Sequence, residues 1–204
     1  LEGELRHFII ALGGGILLGA VILVLIPEGI LAMDNSIAAI PIFISGGLAF
    51  FILERQLGLK RREAPQLTGM LLDFIPESVA LGGLITMGAP TAPLLALLIG
   101  LQNLPEGFNA YRELIALTDH SPKRTLTVML LLVFVGPIAG LLGFFFLSDH
   151  HSILGATMLF SSGGILYLIF QDIAPQSHLD KHWAPPIGAV VGVGVTLFGQ
   201  QLLV

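Results

Sequence analysis

Two short stretches of the chain place oxygen-bearing side chains four residues apart within apolar sequence, with a proline just before the second one. They are Asp73-Phe74-Ile75-Pro76-Glu77 and Gln102-Asn103-Leu104-Pro105-Glu106. An ionisable side chain at the centre of a bilayer costs about 2.5 to 3.5 kcal/mol on insertion scales, so such residues mark a functional site by default. Carboxylate and amide oxygens are also the ligands that hard divalent cations prefer. The pattern therefore indicates cation chemistry.

Residues four apart share one face of a helix, so Asp73 stacks with Glu77 and Gln102 with Glu106. On consecutive antiparallel helices the four groups meet near mid-depth, beside carbonyl oxygens that the prolines leave without a donor. The spacing predicts a site for one divalent cation on these four side chains. Two alternatives remain open: a buried polar seam that only holds the helices together, and a proton relay built from the carboxyl groups.

The composition is that of an integral membrane protein. Of its 204 residues, 54% are hydrophobic and 11% are charged, whereas soluble domains are about 25% charged. No nucleic-acid surface is implied, and the absence of cysteine excludes disulfides and thiolate metal ligands. Runs that can cross about 30 Å of hydrocarbon predict an all-α, polytopic helix bundle in one membrane domain, residues 1–204. Its seven helices are expected at about residues 8–26, 36–53, 67–87, 92–111, 126–147, 153–173 and 184–203.

The basic residues predict the orientation of this bundle. All nine fall in the N-terminal segment or in alternate connections, and basic loops stay in the cytoplasm. We therefore expect a cytoplasmic N-terminus and an external C-terminus, in a plasma membrane such as the inner membrane of a bacterium. Glycines within the spans predict close helix packing, either inside the chain or in a homodimer. The basic residues are Arg6, Arg55, Lys60, Arg61, Arg62, Arg112, Lys123, Arg124 and Lys181.

The stretch from Leu71 to Leu117, with its two Pro-Glu motifs, resembles the fourth and fifth helices of the ZIP (Zrt/Irt-like) family of divalent metal transporters. Weaker likenesses are Leu25-Ile26-Pro27-Glu28 to the end of the family's second helix and Gly163-Gly164-Ile165-Leu166-Tyr167 to its seventh. The resemblance covers essentially the whole chain, as family helices two to eight. The family's first helix has no counterpart, so either a segment before Leu1 is lost or the chain is a seven-helix variant.

The resemblance implies a metal position formed by Asp73, Glu77, Gln102 and Glu106, with aspartate where the family usually has histidine. The second metal position of two-metal members would fall on Phe74, on Asn103 and on a helix without a mid-membrane acid. We therefore expect one metal, bound by oxygen. Asn103, Asp172 on the cytoplasmic side and Glu28 on the outer side are secondary candidates.

These observations predict a transporter, not an enzyme, that moves a divalent metal cation such as Zn²⁺, Mn²⁺, Fe²⁺ or Cd²⁺ toward the cytoplasm. The expected partners are the metal ion, the lipid bilayer and, in a homodimer, a second copy. The rival functions are a proton-coupled carrier of another solute and a non-transporting homologue that senses metal or scaffolds a complex.

Overall fold

A computed structural model describes residues 2–60, 65–117 and 121–203 of the chain. These residues form helices and connections, with no β-strand among them. The helices are α1 (Glu2–Ala20), α2 (Ile26–Ala32), α3 (Ala39–Lys60), α4 (Pro65–Met87), α5 (Ala92–Leu117), α6 (Pro122–Leu132), α7 (Val135–Phe146), α8 (His151–Leu168), α9 (Ala174–Ser177) and α10 (Pro185–Leu203). The prediction of an all-α fold is confirmed.

Six helical segments of the described residues are long and apolar enough to cross a membrane: Gly3–Ala32, Ala39–Gln56, Leu67–Met87, Pro122–Phe146, His151–Ser177 and Pro185–Leu203. The predicted number of seven is therefore wrong by one. The helix that falls short is α5. It has 26 residues, but Gln102, Asn103, Glu106 and Asn109 make it more polar than the other long helices.

The outer surface of the bundle is apolar, as expected for a protein that lies in lipid. Val190, Phe145 and Phe170 each expose about two thirds or more of their area, at 71%, 69% and 67%. Exposed apolar surface on this scale is rare in soluble monomers. Together with the six long apolar helices, it indicates an integral membrane protein.

The segment predicted at residues 126–147 is divided into α6 and α7, which are separated by Val133 and Phe134. Pro137 explains this interruption, because it has no N–H to donate to the carbonyl of Val133 four residues earlier. Of the other predicted segments, the last corresponds to α10 within one residue at each end, and the rest correspond to helices that extend beyond one or both of the expected ends. The largest extension is the first, which begins at Glu2 and runs through α2 to Ala32.

Two long segments contain a π turn just before a proline. The first π turn, Val21–Leu25, joins α1 to α2, and the second, Ile169–Ile173, joins α8 to α9. Each is followed by one residue and then by a proline, Pro27 or Pro175. Single π turns within α-helices frequently occur at functional sites. By contrast, α4 and α5 remain continuous helices across Pro76 and Pro105.

The two segments with π turns belong to an internal inverted repeat. The first segment packs along α10, and the second packs along α3. Two contacts between a glycine and a backbone carbonyl of the partner helix occur in both pairs. In the first pair they are Gly192 with Leu12 and Gly15 with Ala189. In the second pair the equivalent contacts are Gly46 with Phe160 and Gly163 with Phe43. In every case a Cβ atom would overlap the partner's backbone, so close approach requires glycine at these positions.

The repeat is inverted because the two π-turn segments run in opposite directions. Gly29 of α2 lies against Leu159 of α8, and Met33, one turn further on, lies against Gly155. Between the two segments, α4 and α5 pack on each other and hold Pro76 and Pro105 at equivalent positions. The two polar motifs therefore lie on the central pair of helices.

Candidate functional site

The four side chains predicted to form the site lie where α4 packs on α5. Asp73, Glu77 and Gln102 are buried, with 3%, 0% and 0% of their area exposed. The side-chain amide of Gln102 donates a hydrogen bond through Nε2 to Oε2 of Glu77. This bond joins the two motifs directly, so the predicted meeting of the two helices at these residues is present in the structure.

Several oxygens of this cluster have no hydrogen-bond donor among the described residues. They are Oε1 of Glu77, Oε1 of Gln102 and both carboxylate oxygens of Glu106, and all four are buried. Buried polar atoms nearly always have a partner, because an unpaired one loses its interaction with water without replacement. A group of four unpaired acceptors is therefore suited to bind protons or a cation.

The charges of the cluster strengthen this conclusion. The carboxyl groups of Asp73, Glu77 and Glu106 are close enough to repel one another when ionised. Asp73 is partly stabilised, because its Oδ1 accepts a hydrogen bond of 2.7 Å from the backbone N–H of Phe74. Within the described residues no Lys or Arg forms an ion pair with any of the three. Protons or a cation must supply the compensating charge.

A small cavity of about 60 Å³ lies beside the cluster and has room for several water molecules. Asp73 and Glu106 line it from α4 and α5, and Asp172 and Gln176 line it from the segment that contains the second π turn. Gln176 is exposed at the surface of the bundle. The cavity thus connects the buried carboxyl groups with one end of the molecule, and Asp172 lies between them.

At the opposite end, the path to the cluster is filled by apolar side chains. On α5, Thr91, Leu95, Leu98 and Gln102 follow one another at spacings of three or four residues and therefore share one face. The two leucines are fully buried and belong to the main apolar core, which also contains Val24 of the first π turn.

Glu28 closes this apolar end. Its Oε1 accepts a hydrogen bond of 2.7 Å from the hydroxyl of Thr91, which lies just before α5. Thr91 precedes Gln102 by eleven residues, a distance of about 16 Å at 1.5 Å per residue. Glu28 is therefore not brought to the predicted metal site. The sequence did not single out Thr91, because nothing along the chain shows which residue will face Glu28.

The other secondary candidates have different outcomes. The amide of Asn103 is occupied on its own helix, where its Nδ2 donates a hydrogen bond of 2.7 Å to the carbonyl of Ile99. Asp172 does join Asp73 and Glu106 at the cavity. The sequence does contain a signal for Asp172. Pro27-Glu28 and Pro175-Gln176 follow apolar segments in the same way, and Asp172 lies three residues before the second of these prolines.

In the described residues, no three His, Asp or Glu side chains are arranged closely enough to hold a metal ion as they stand. The four predicted ligands are brought together, but their oxygens do not already form a coordination shell. The arrangement offers an oxygen-rich, negatively charged cluster next to a small cavity lined by Asp73, Glu106 and Asp172. It is suited to taking up a cation or protons after small side-chain movements.

Comparison with known proteins does not assign the chain to a family. No protein-family model matches it, and no curated protein matches it.

Proposed function

We propose that this protein transports a divalent metal cation across the membrane through the cluster on α4 and α5. The observation that carries the proposal is the group of four buried, unpaired acceptor oxygens on Glu77, Gln102 and Glu106. A divalent cation would provide a partner for all of them at once and offset the repulsion among the carboxylates. The same ion explains why so costly a group lies inside a membrane protein.

The two ends of the bundle support transport rather than permanent binding. The cluster faces a cavity at the end that contains Asp172 and Gln176, while Leu95, Leu98 and the contact between Glu28 and Thr91 close the other end. A transporter needs a site that is open to one side at a time. The arrangement described here corresponds to one of those two states.

The described helices bring Arg6, Arg55, Arg112, Arg124 and Lys181 to the same side of the bundle as Asp172. Under the positive-inside rule we assign that side to the cytoplasm. The described state is then the one that releases the ion into the cytoplasm. On this proposal Asp73 and Glu106, which line the cavity, turn toward Glu77 and Gln102 when a metal binds. Asp172 attracts the cation during release.

The ligands favour one oxygen-bound metal. Carboxylate and amide oxygens suit Mn²⁺, Fe²⁺ and, with less selectivity, Zn²⁺ and Cd²⁺. On the resemblance to ZIP transporters, a second metal next to the first is disfavoured, because Phe74 stands where two-metal members have a ligand and its ring packs against Gly136 of α7.

One observation also favours a second candidate function, proton-coupled transport of another solute. The three carboxyl groups have no cationic partner in the described residues, so protons could neutralise them as well as a metal could. Protonation adds one donor per carboxyl group, however, and leaves the amide oxygen of Gln102 unpaired unless a carboxyl proton points at it. We therefore place the metal ion first.

Uptake of Mn²⁺ and Cd²⁺ into liposomes that contain the purified protein tests the proposal. Glu106→Gln removes a charge and a ligand without changing the size of the side chain, and we expect it to lower uptake by about tenfold or more. Asp180→Asn is the matched control, because it makes the same chemical change on a side chain that is 95% exposed. Uptake that survives Glu106→Gln contradicts the metal site, and proton uptake that ignores divalent ions supports the second candidate.

A further inference from the structure

The inverted repeat leaves one face of α5 without a partner helix. On α4, the face that contains Val79 and Gly82 is covered by α7, whose Gly143 and Gly140 pack against these two residues. Val79 and Gly82 lie three and six residues after Pro76. The residues at the same distances after Pro105 of α5 are Phe108 and Tyr111. Tyr111 is half-buried, but no helix of the described residues packs on Phe108 in the way that α7 packs on Val79.

The open face of α5 is apolar and strongly exposed. Leu104 exposes 71% of its area and Phe108 exposes 59%. A Cβ atom added at Gly100 or Gly107 would meet nothing within 4 Å, so no neighbouring element comes close on that side. In a membrane, such a face is bathed in lipid chains unless protein covers it.

At one end of this face lies a groove of about 330 Å³ between α1 and α5. Leu5, Ile9, Pro105 and Phe108 form its apolar wall, and Arg6, Asn109 and Arg112 supply its polar groups. The guanidinium of Arg112 lies over the ring of Phe108, 5.7 Å from the ring centre. The groove therefore joins two cationic side chains to a surface that is continuous with the exposed apolar face.

The two arginines are not neutralised by the rest of the described structure. Neither Arg6 nor Arg112 forms an ion pair with any carboxylate that the structure describes in residues 3–56, 67–116 and 121–203. The internal repeat does not require arginine at these two positions. Their equivalents in the other half are Leu154 and Gly83, which pack directly on each other. One half of the molecule thus fills this position with apolar contact, and the other half leaves two positive charges there.

A third polar group in the groove is an acceptor. Asn109 is 9% exposed, and its Oδ1 is buried without a hydrogen-bond donor among the described residues. A ligand that carries only phosphate would satisfy the arginines but not this oxygen. A ligand with both a phosphate and a hydroxyl group would satisfy all three.

We propose that this groove binds an anionic phospholipid with a hydroxyl-bearing headgroup, of the phosphatidylglycerol type. The phosphate lies between Arg6 and Arg112, because guanidinium groups bind phosphate oxygens through paired, charge-assisted hydrogen bonds. The headgroup hydroxyl donates to Asn109, and an acyl chain lies along Phe108 and Leu104. Basic pockets between membrane helices bind anionic headgroups in this way. The proposal does not depend on what the protein transports.

Native mass spectrometry of the protein in dodecyl maltoside tests this site. The probe is palmitoyl-oleoyl phosphatidylglycerol, and palmitoyl-oleoyl phosphatidylcholine is the reference lipid. We expect retained phosphatidylglycerol on the wild-type protein, and a weakening of about tenfold or more in the double variant Arg6→Gln with Arg112→Gln. Arg6→Lys with Arg112→Lys keeps the charges but loses the paired hydrogen bonds, so its binding should fall between the two.

The matched control is Arg55→Gln with Arg124→Gln, which removes the same charge from exposed positions on α3 and α6. Circular dichroism checks that all variants keep the helical fold. The proposal is overturned if the control loses as much phosphatidylglycerol as the test variant, or if phosphatidylcholine binds equally well. It is also overturned if inorganic phosphate displaces the lipid completely, or if dimers that cover α5 carry no lipid.

Discussion

The two segments with π turns have the same backbone arrangement, but the side chains at equivalent positions differ in polarity. Each π turn is followed by one residue and a proline, and each segment packs along a parallel helix through equivalent glycine contacts. The fourth residue of the first π turn is Val24, which is fully buried, whereas the fourth residue of the second is Asp172, which lines the cavity. After the prolines, Glu28 is bonded to Thr91, and Gln176 lines the cavity.

This difference teaches how a symmetric scaffold can hold an asymmetric state. If both halves had the same side chains, the state that is open at one end and the state that is open at the other would have equal free energy. Valine in one half and aspartate in the other make one end apolar and the other polar. The free-energy difference between the state described here and the inverse state therefore depends on a small number of side chains rather than on a different fold.

The largest effect is expected from making the closed half resemble the open one. Val24→Asp places a carboxylate in the apolar core, where an unpaired charge costs several kcal/mol. We expect a large loss of thermal stability in detergent, measured by the unfolding of the helices. Val24→Thr, which has nearly the same shape and adds one hydroxyl, should lose much less.

One outcome for Val24→Asp would contradict the assignment of the first half as the closed one. If Val24→Asp unfolds at the same temperature as the wild-type protein, water already reaches this position. The first half would then not be the closed half.

A smaller effect is expected from the glycines that define the repeat. Gly46→Ala and Gly192→Ala each force a methyl group against a backbone carbonyl, of Phe160 and Leu12 respectively. Overpacking of this kind costs about 1 to 3 kcal/mol. Because the two contacts are equivalent, the two variants should lose similar amounts of stability in a denaturant titration.

Gly194→Ala is the control for these variants, since it lies on the same helix as Gly192 and its Cβ atom would meet nothing within 4 Å. The change should be neutral or slightly stabilising, because alanine favours helix over glycine by about 1 kcal/mol. A control as unstable as Gly192→Ala, or a large difference between Gly46→Ala and Gly192→Ala, would argue against equivalent packing in the two halves.

Much of this architecture follows from local features of the sequence. The apolar runs predict the helices. The two motifs, each with polar residues four positions apart and a proline before the second, predict that Gln102 meets Glu77. The break before α7 also has a local cause, the missing N–H of Pro137, although the sequence alone was interpreted as one continuous segment. The predicted count of seven membrane helices was wrong because of α5. The polar residues of the candidate site lie on α5 and lower its mean hydropathy.

Other features depend on tertiary packing and could not be predicted from the residues alone. A proline allows a π turn but does not require one, since Pro76 and Pro105 lie in continuous helices. The contact between Glu28 and Thr91 joins residues that are 63 positions apart in the chain. Asp172 reaches Asp73 and Glu106 only because α8 packs against α4.

Anomalous X-ray scattering from crystals soaked in Mn²⁺ or Cd²⁺ tests the central claim most directly, because it locates the metal without relying on transport activity. We predict one strong peak within bonding distance of Glu77, Gln102 and Glu106, with Asp73 turned toward it, and loss of that peak in Glu106→Gln. Well-ordered carboxylates with no peak between them, or peaks only at exposed acids such as Asp34 and Asp149, would contradict a metal site on α4 and α5.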